Sequence, residues 1–122
     1  MRRMKWPAVL FIGFALALAA QQEIKDVFGV PVYPGAKLDE ATTKFLTESM
    51  SMNGKAFRTP DPMAKVAEFY KTQGLTEIMV SQEGAMFKKG DDVDVTLQNP
   101  WQNMQTGKME KETLISLSLI HI

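Results

Sequence analysis

The sequence predicts an α+β fold: one amphipathic helix packed on an antiparallel sheet, in the order β-hairpin, helix, then three or four meander strands. Apolar residues recur at helical spacing between positions 61 and 74. After this segment, apolar and polar residues alternate over 93–98 and again over 113–122, as expected for strands with one buried face. A helix that covers one face of an antiparallel sheet is an α+β layer architecture.

The start of the chain has the features of an export signal peptide. Arg2, Arg3 and Lys5 give a basic start, 6–20 is an uncharged and mostly apolar run, and 17–19 reads Ala-Leu-Ala, a cleavage pattern. The apolar run is shorter than the about 20 residues that a helix needs to cross a bilayer. Export to a secreted or periplasmic location is therefore expected.

We expect residues 1–20 to be the signal peptide and 21–122 to form a single small α+β domain; a signal that is kept as a membrane anchor is the alternative. The chain has 14 basic and 14 acidic residues, so loss of the three basic residues of the signal leaves a net charge of −3. This charge argues against a nucleic-acid partner, which requires a basic surface. No stable membrane span is expected after cleavage. The chain has no cysteine, so the domain folds without disulfides.

The residues before the first predicted strand form a stiff turn. Pro34 and Gly35 follow Tyr33 in the order that a type II turn requires, because proline fixes φ and glycine accepts a positive φ. This turn has two interpretations. It is either a structural latch with Tyr33 packed at the edge of the domain, or an aromatic platform for a ligand.

A β-hairpin is predicted next. Residues 42–52 are compatible with a strand, Asn53-Gly54 is a strong signal for a two-residue hairpin turn, and 55–59 returns as the second strand.

The clearest element is the helix that follows. Asp61 is suited to the N-cap, Pro62 to the first helical position, and Gly74 to the C-terminal end. The apolar stripe of the helix consists of Met63, Val66, Phe69 and Tyr70, with Ala67 beside them.

The antiparallel meander follows the helix. Its predicted strands cover 75–81, 85–89, 93–98 and 113–122. Asn99-Pro100 ends the third of them, and the last strand places Ser116 and Ser118 on the face opposite its leucines.

Two motifs in this order resemble those of a known group. Residues 31–36 read Pro-x-Tyr-Pro-Gly-Ala, and the helix ends in Phe69-Tyr70. The segment 30–75 resembles small exported bacterial proteins of uncharacterised function, although Gly74-Leu75 stands where that group often has Gly-Trp. The resemblance implies export and an α+β fold, and it implies no activity.

The sequence shows no catalytic constellation. The single histidine, His121, is next to last, and there is no cysteine, so a Ser-His-Asp or Cys-His mechanism lacks a positioned imidazole. We therefore expect a non-enzymatic protein without a cofactor. Asp92 and Asp94 share one face of a strand, which is typical of a solvated surface; a weak Ca²⁺ site is the alternative.

The function that these features favour is an exported binding or accessory module of the cell envelope. Tyr33 and Trp101 are the candidate contacts for its partner, an envelope protein or a small ligand, because loop aromatics are common at binding sites. This hypothesis predicts that both rings are accessible. The alternative role of Trp101 is to cap the core.

Methionine suggests a second function, that of a periplasmic copper-binding protein. One residue separates Met50 from Met52, so in a strand both thioethers lie on one face. Thioethers are soft ligands that suit Cu(I). Met50 and Met52 are therefore the candidate metal ligands, with core packing as the alternative role.

Overall fold

A six-stranded antiparallel sheet forms the centre of the computed structural model, which describes residues 24–120. The predicted signal peptide, 1–20, and His121 lie outside the described residues. The strands are β1 (Asp26–Val27), β2 (Val30–Pro31), β3 (Lys37–Leu38), β4 (Asn53–Thr59), β5 (Thr76–Val80), β6 (Gly84–Lys89), β7 (Val93–Gln98), β8 (Trp101–Gln102), β9 (Met109–Glu110) and β10 (Thr113–Leu119). The helices are α1 (Glu40–Lys44), a π-helical segment that continues it (Phe45–Ser49), and α2 (Met63–Lys71).

The order of the strands in the main sheet is β3-β4-β10-β7-β6-β5, and every pair is antiparallel. The pairs β1-β2 and β8-β9 form two small separate ribbons. The last strand, β10, therefore lies in the interior of the sheet, between β4 and β7. The predicted antiparallel sheet is confirmed, and no helix within 24–120 is long and apolar enough to cross a membrane.

Helix α2 buries the predicted stripe against one face of the sheet, where it contacts β6 and β7. Met63, Val66, Ala67 and Tyr70 are buried. They pack with the inward-facing residues of the central strands, among them Phe57, Phe87, Val95 and Ile115. We call this cluster the main core.

The N-terminus of α2 differs from the prediction. The N-cap position is Pro62, and no side chain caps the helix, so the predicted role of Asp61 is wrong. The carboxylate of Asp61 instead accepts a hydrogen bond of 2.5 Å from the hydroxyl of Tyr33. Lys65 lies 3.7 Å from the same oxygen. At the other end, Gly74 has the positive φ of +74° that ends such helices.

The first strand and the turn of the predicted hairpin are wrong, because residues 40–49 are helical, whereas the predicted strand 55–59 is part of β4. Asp39 is the N-cap of α1, and its carboxylate accepts hydrogen bonds from the backbone N–H and the hydroxyl of Thr42. Thr42 and Leu46 are both buried, and their spacing of four residues is that of one helix face. The structure thus has a second helical segment in addition to the single predicted helix.

Gly54 lies inside β4 and forms no turn. A Cβ atom at this position would lie 2.8 Å from the backbone oxygen of Leu117 and 3.1 Å from Cβ of Ser118. Glycine is therefore required by the close approach of β10, one of the reasons that glycine occurs within strands. The predicted turn at 33–36 is confirmed: the N–H of Ala36 donates to the carbonyl of Tyr33 at 3.0 Å, and Gly35 has φ +84°.

Candidate functional site

The second face of the sheet, opposite α2, carries a cavity of about 380 Å³. We call it the Trp101 groove. The groove is lined by Thr42, Phe45, Leu46, Met50, Met52, Thr96, Gln98, Trp101, Gln102, Met104, Leu114, Ser116 and Ser118. None of these lining residues carries a charge, so the groove favours a ligand that needs no ion pair.

Strands β7 and β10 form the floor of the groove. Because side chains alternate between the two faces of a strand, Thr96 and Ser116 point away from the main core while Val95 and Leu117 point into it. Thr96 and Ser116 are directly opposite each other in the register of the two strands. The floor is thus a row of hydroxyl groups, which can donate and accept hydrogen bonds.

The first wall consists of α1, the π-helical segment and the residues after it. The N–H of Met50 donates to the carbonyl of Phe45 at 3.2 Å, the five-residue spacing of a π-helix. The N–H of Met52 donates to the carbonyl of Leu46 at 2.8 Å. Ser51 between them has a left-handed φ of +53°. These bonds fix both methionines on the same wall of the groove.

Met50 and Met52 do not lie in a strand, so the prediction of two thioethers on one strand face is wrong in its geometry. They lie in the segment between the π-helical turn and β4. The fold nevertheless brings both side chains to one cavity. Met50 is 52 % exposed, whereas Met52 is partly buried against the second apolar cluster.

The second wall is the β8-β9 ribbon, whose loop is organised by Asn103. The side-chain oxygen of Asn103 accepts from the N–H groups of Gln105 and Thr106, at 2.8 and 3.2 Å. Its amide nitrogen donates to Glu110 at 2.9 Å. Asn103 is itself buried, so it fixes the loop that carries its neighbour Met104 at the groove.

Trp101 is 2 % exposed, so the prediction of an accessible ring is wrong. Its ring packs with Leu46, Ala56 and Leu114 in a second apolar cluster beneath the groove. The indole Nε1 is buried and has no hydrogen-bond partner within residues 24–120. Since most buried polar groups are paired, this N–H is unusual in having no acceptor among the described residues.

Tyr33 is remote from the groove, and its predicted accessibility is wrong as well. The residue is 6 % exposed, and its ring packs edge-on against Phe69 with centroids 5.3 Å apart. Burial, together with the hydrogen bond to Asp61 and the charge of that carboxylate, raises the pKa of Tyr33 to about 12. The turn at Tyr33 is therefore a structural latch in the main core.

One ion pair lies beside the floor of the groove. Asp94 faces Ser118 in the register of β7 and β10, and Lys88 lies 3.7 Å from its Oδ1 atom. Within the described part of the chain, no three His, Cys, Asp or Glu side chains are grouped to hold a metal ion. The groove therefore offers thioethers, aromatic rings, hydroxyls and amides as its chemical groups.

Sequence reasoning identified Trp101, Met50 and Met52, and the structure places all three at one groove. It missed Met104 and the hydroxyl floor. The alternation in 113–122 did place Ser116 and Ser118 on one face, but it gave no sign of what faces them. Met104 lies in a polar loop without periodicity, so only the folded ribbon reveals its position.

No family model, no curated protein and no solved structure matches this chain.

Proposed function

We propose that this chain is an exported, non-enzymatic binding module of the cell envelope, and that the Trp101 groove is its binding site. The observation that carries the proposal is the convergence of Trp101, Met50 and Met52 in one uncharged cavity. Ligand sites are concave and mostly apolar, with a few polar groups that fix orientation. The groove has this composition, because its walls are apolar and its floor carries hydroxyls.

Export is supported by the basic start and the apolar run of the first twenty residues. A binding role is supported by the position of the groove, whose walls come from segments outside the main sheet. The main core has its own apolar cluster under α2, and the groove residues are not part of it. The groove residues that lie outside both apolar clusters can therefore vary in composition without loss of the main core.

The groove can be tested with an apolar fluorophore, N-phenylnaphthylamine, added to the full chain. Trp6→Phe makes Trp101 the only indole of the protein, which has two tryptophans. We expect the fluorophore to gain emission on binding and to quench Trp101. Thr96→Leu fills the floor and should weaken binding about tenfold, which corresponds to about 1.4 kcal/mol.

Thr76→Leu is the matched control. Thr76 is also a strand threonine, lies in β5 and is exposed, and it does not line the groove. The control should bind the fluorophore as the parent protein does. Equal affinity in the parent and in Thr96→Leu, or no binding to any of the three proteins, would contradict the assignment of the groove as the binding site.

A further inference from the structure

The methionines of the described residues divide into two sets. Met50, Met52 and Met104 line the Trp101 groove. The others do not line the groove: Met63 lies in the main core, Met86 lies in β6 opposite Thr96, and Met79 and Met109 lie on the exposed surface. Three methionines therefore line a single cavity, although the first and second walls of that cavity are far apart in sequence.

We propose that these three thioethers form a Cu(I) site, with Met50 and Met52 on the first wall of the groove and Met104 on the second. This assignment rests on the proposed function of the groove as a binding site, and it names the ligand class. All three methionines line the same cavity, so a cation bound in it can contact both walls.

The backbone on each wall is fixed, whereas the methionine side chains are adaptable. Hydrogen bonds to Phe45 and Leu46 hold the backbone of Met50 and Met52, and Asn103 orders the loop of Met104. Methionine has three rotatable bonds and a polarizable sulfur, so side chains on a fixed backbone can adjust to a bound ion. Met50 and Met104 are 52 % and 47 % exposed, and core packing does not account for them.

The chemistry of the lining selects a soft monovalent cation. Thioethers favour Cu(I), whereas Ca²⁺ and Mg²⁺ require carboxylate and carbonyl oxygens. The groove lining contains no carboxylate or imidazole. Phe45 and Trp101 line the same cavity, and the faces of aromatic rings attract cations. Binding involves no change in the oxidation state of the metal, since Cu(I) is supplied and retained as Cu(I).

The test is a competition for Cu(I) between the full chain and bicinchoninate, under ascorbate and without oxygen. We expect Met104→Leu to lower the affinity about tenfold or more, since even loss of a group that only supports a metal ligand costs about 10–100-fold. Met109→Leu is the matched control, because Met109 is 61 % exposed and lies outside the groove. Leucine is close to methionine in volume, and circular dichroism would verify that each variant is folded.

A second readout assigns the ligands. In the ¹³C NMR spectrum of the methionine methyl groups, Cu(I) should shift the signals of Met50, Met52 and Met104 and leave those of Met79 and Met109 in place. Unchanged affinity in Met104→Leu, or equal shifts in all exposed methionines, would overturn the site. Binding of N-phenylnaphthylamine without binding of Cu(I) overturns the copper assignment alone. Binding of neither overturns the groove as well.

Discussion

The two tyrosines of the chain share one line of hydrogen bonds between the N-terminal residues and α2. The N–H of Tyr33 donates to the hydroxyl oxygen of Tyr70 at 3.1 Å, and the hydroxyl of Tyr70 donates to the carbonyl of Pro31 at 3.0 Å. The hydroxyl of Tyr33 donates to Asp61. Burial raises the pKa of Tyr70, and burial followed by the contact with Asp61 raises that of Tyr33 to about 12. Both hydroxyls are therefore structural in their neutral form.

This line of bonds predicts a loss of stability at alkaline pH. An unfolded tyrosine ionises near pH 10, while the folded protein keeps both protons at that pH. Because the unfolded state then binds fewer protons than the folded state, the free energy of unfolding falls as the pH rises from about 10 to about 12. Below pH 10 the tyrosines should have no such effect.

Ultraviolet absorbance of the phenolate measures the ionisation of the tyrosines directly, and urea denaturation at each pH measures the free energy of unfolding. The chain has two tyrosines, and we expect neither to ionise near pH 10 in the folded protein. Tyr33→Phe removes one of the two, so the fall in stability between pH 10 and 12 should become less steep. A phenolate that forms near pH 10 before the protein unfolds would contradict the burial of these hydroxyls.

At the scale of single residues, the chemical type of the candidate site residues was easier to predict than their position in the fold. Trp101, Met50 and Met52 stood out because aromatics and thioethers have distinctive chemistry. Their meeting place depends on the pairing of β8 with β9 and on the fold of α1, which are contacts that no local pattern contains. The latch role of Tyr33 was one of two interpretations, and the bond to Asp61 decides between them.

At the scale of elements, α2, β7 and β10 were largely predictable, because each has a strong period. The helical segment 40–49 was not predictable, since threonines are compatible with strands and Asn53-Gly54 is a frequent hairpin turn. The cap by Asp39 and the burial of Thr42 and Leu46 on one face prevail over that local preference. Gly54 then serves the close contact of β4 with β10.

Gly54 gives a direct test of that contact. Gly54→Ala places a methyl group 2.8 Å from the backbone oxygen of Leu117, and that oxygen belongs to the paired strand β10. We expect a loss of about 1–3 kcal/mol in the free energy of unfolding, typical of an overpacked site, measured by urea denaturation.

Gly84 provides the matched control for this substitution. It also lies in a strand, and its nearest neighbour to an added Cβ is the oxygen of Leu97 at an ordinary 3.5 Å. Gly84→Ala should therefore change stability by no more than about 0.5 kcal/mol. Equal effects of the two substitutions would show that the separation between β4 and β10 is not what requires glycine at position 54.

At the scale of the whole molecule, the sheet has a protected centre and two unlike edges. β10 pairs with neighbours on both sides, β4 and β7. The edge strand β3 has two residues, whereas the opposite edge, β5, is longer, irregular between Glu77 and Met79, and exposed at all five of its positions. The central place of the last strand depends on non-local pairing, so the sequence order did not reveal it.

This arrangement predicts a gradient of stability across the sheet. Amide hydrogen exchange should be slowest in β10 and fastest in β5, because central strands open only with the whole domain and edges open locally. Two isoleucines, one in the central strand β10 and one in the edge strand β5, test the same gradient by mutation. Ile115 in β10 is fully buried, whereas Ile78 in β5 is 51 % exposed.

Ile115→Ala removes methylene and methyl groups from the main core and should lower the free energy of unfolding by about 2–5 kcal/mol. Ile78→Ala leaves no cavity because the side chain is exposed, so we expect the free energy of unfolding to change by about 0.5 kcal/mol or less. Urea denaturation measures both, and the slope against urea should stay the same if the unfolded states are comparable. A large loss in Ile78→Ala would mean that the β5 edge is covered in solution, because only a side chain removed from water can contribute that much.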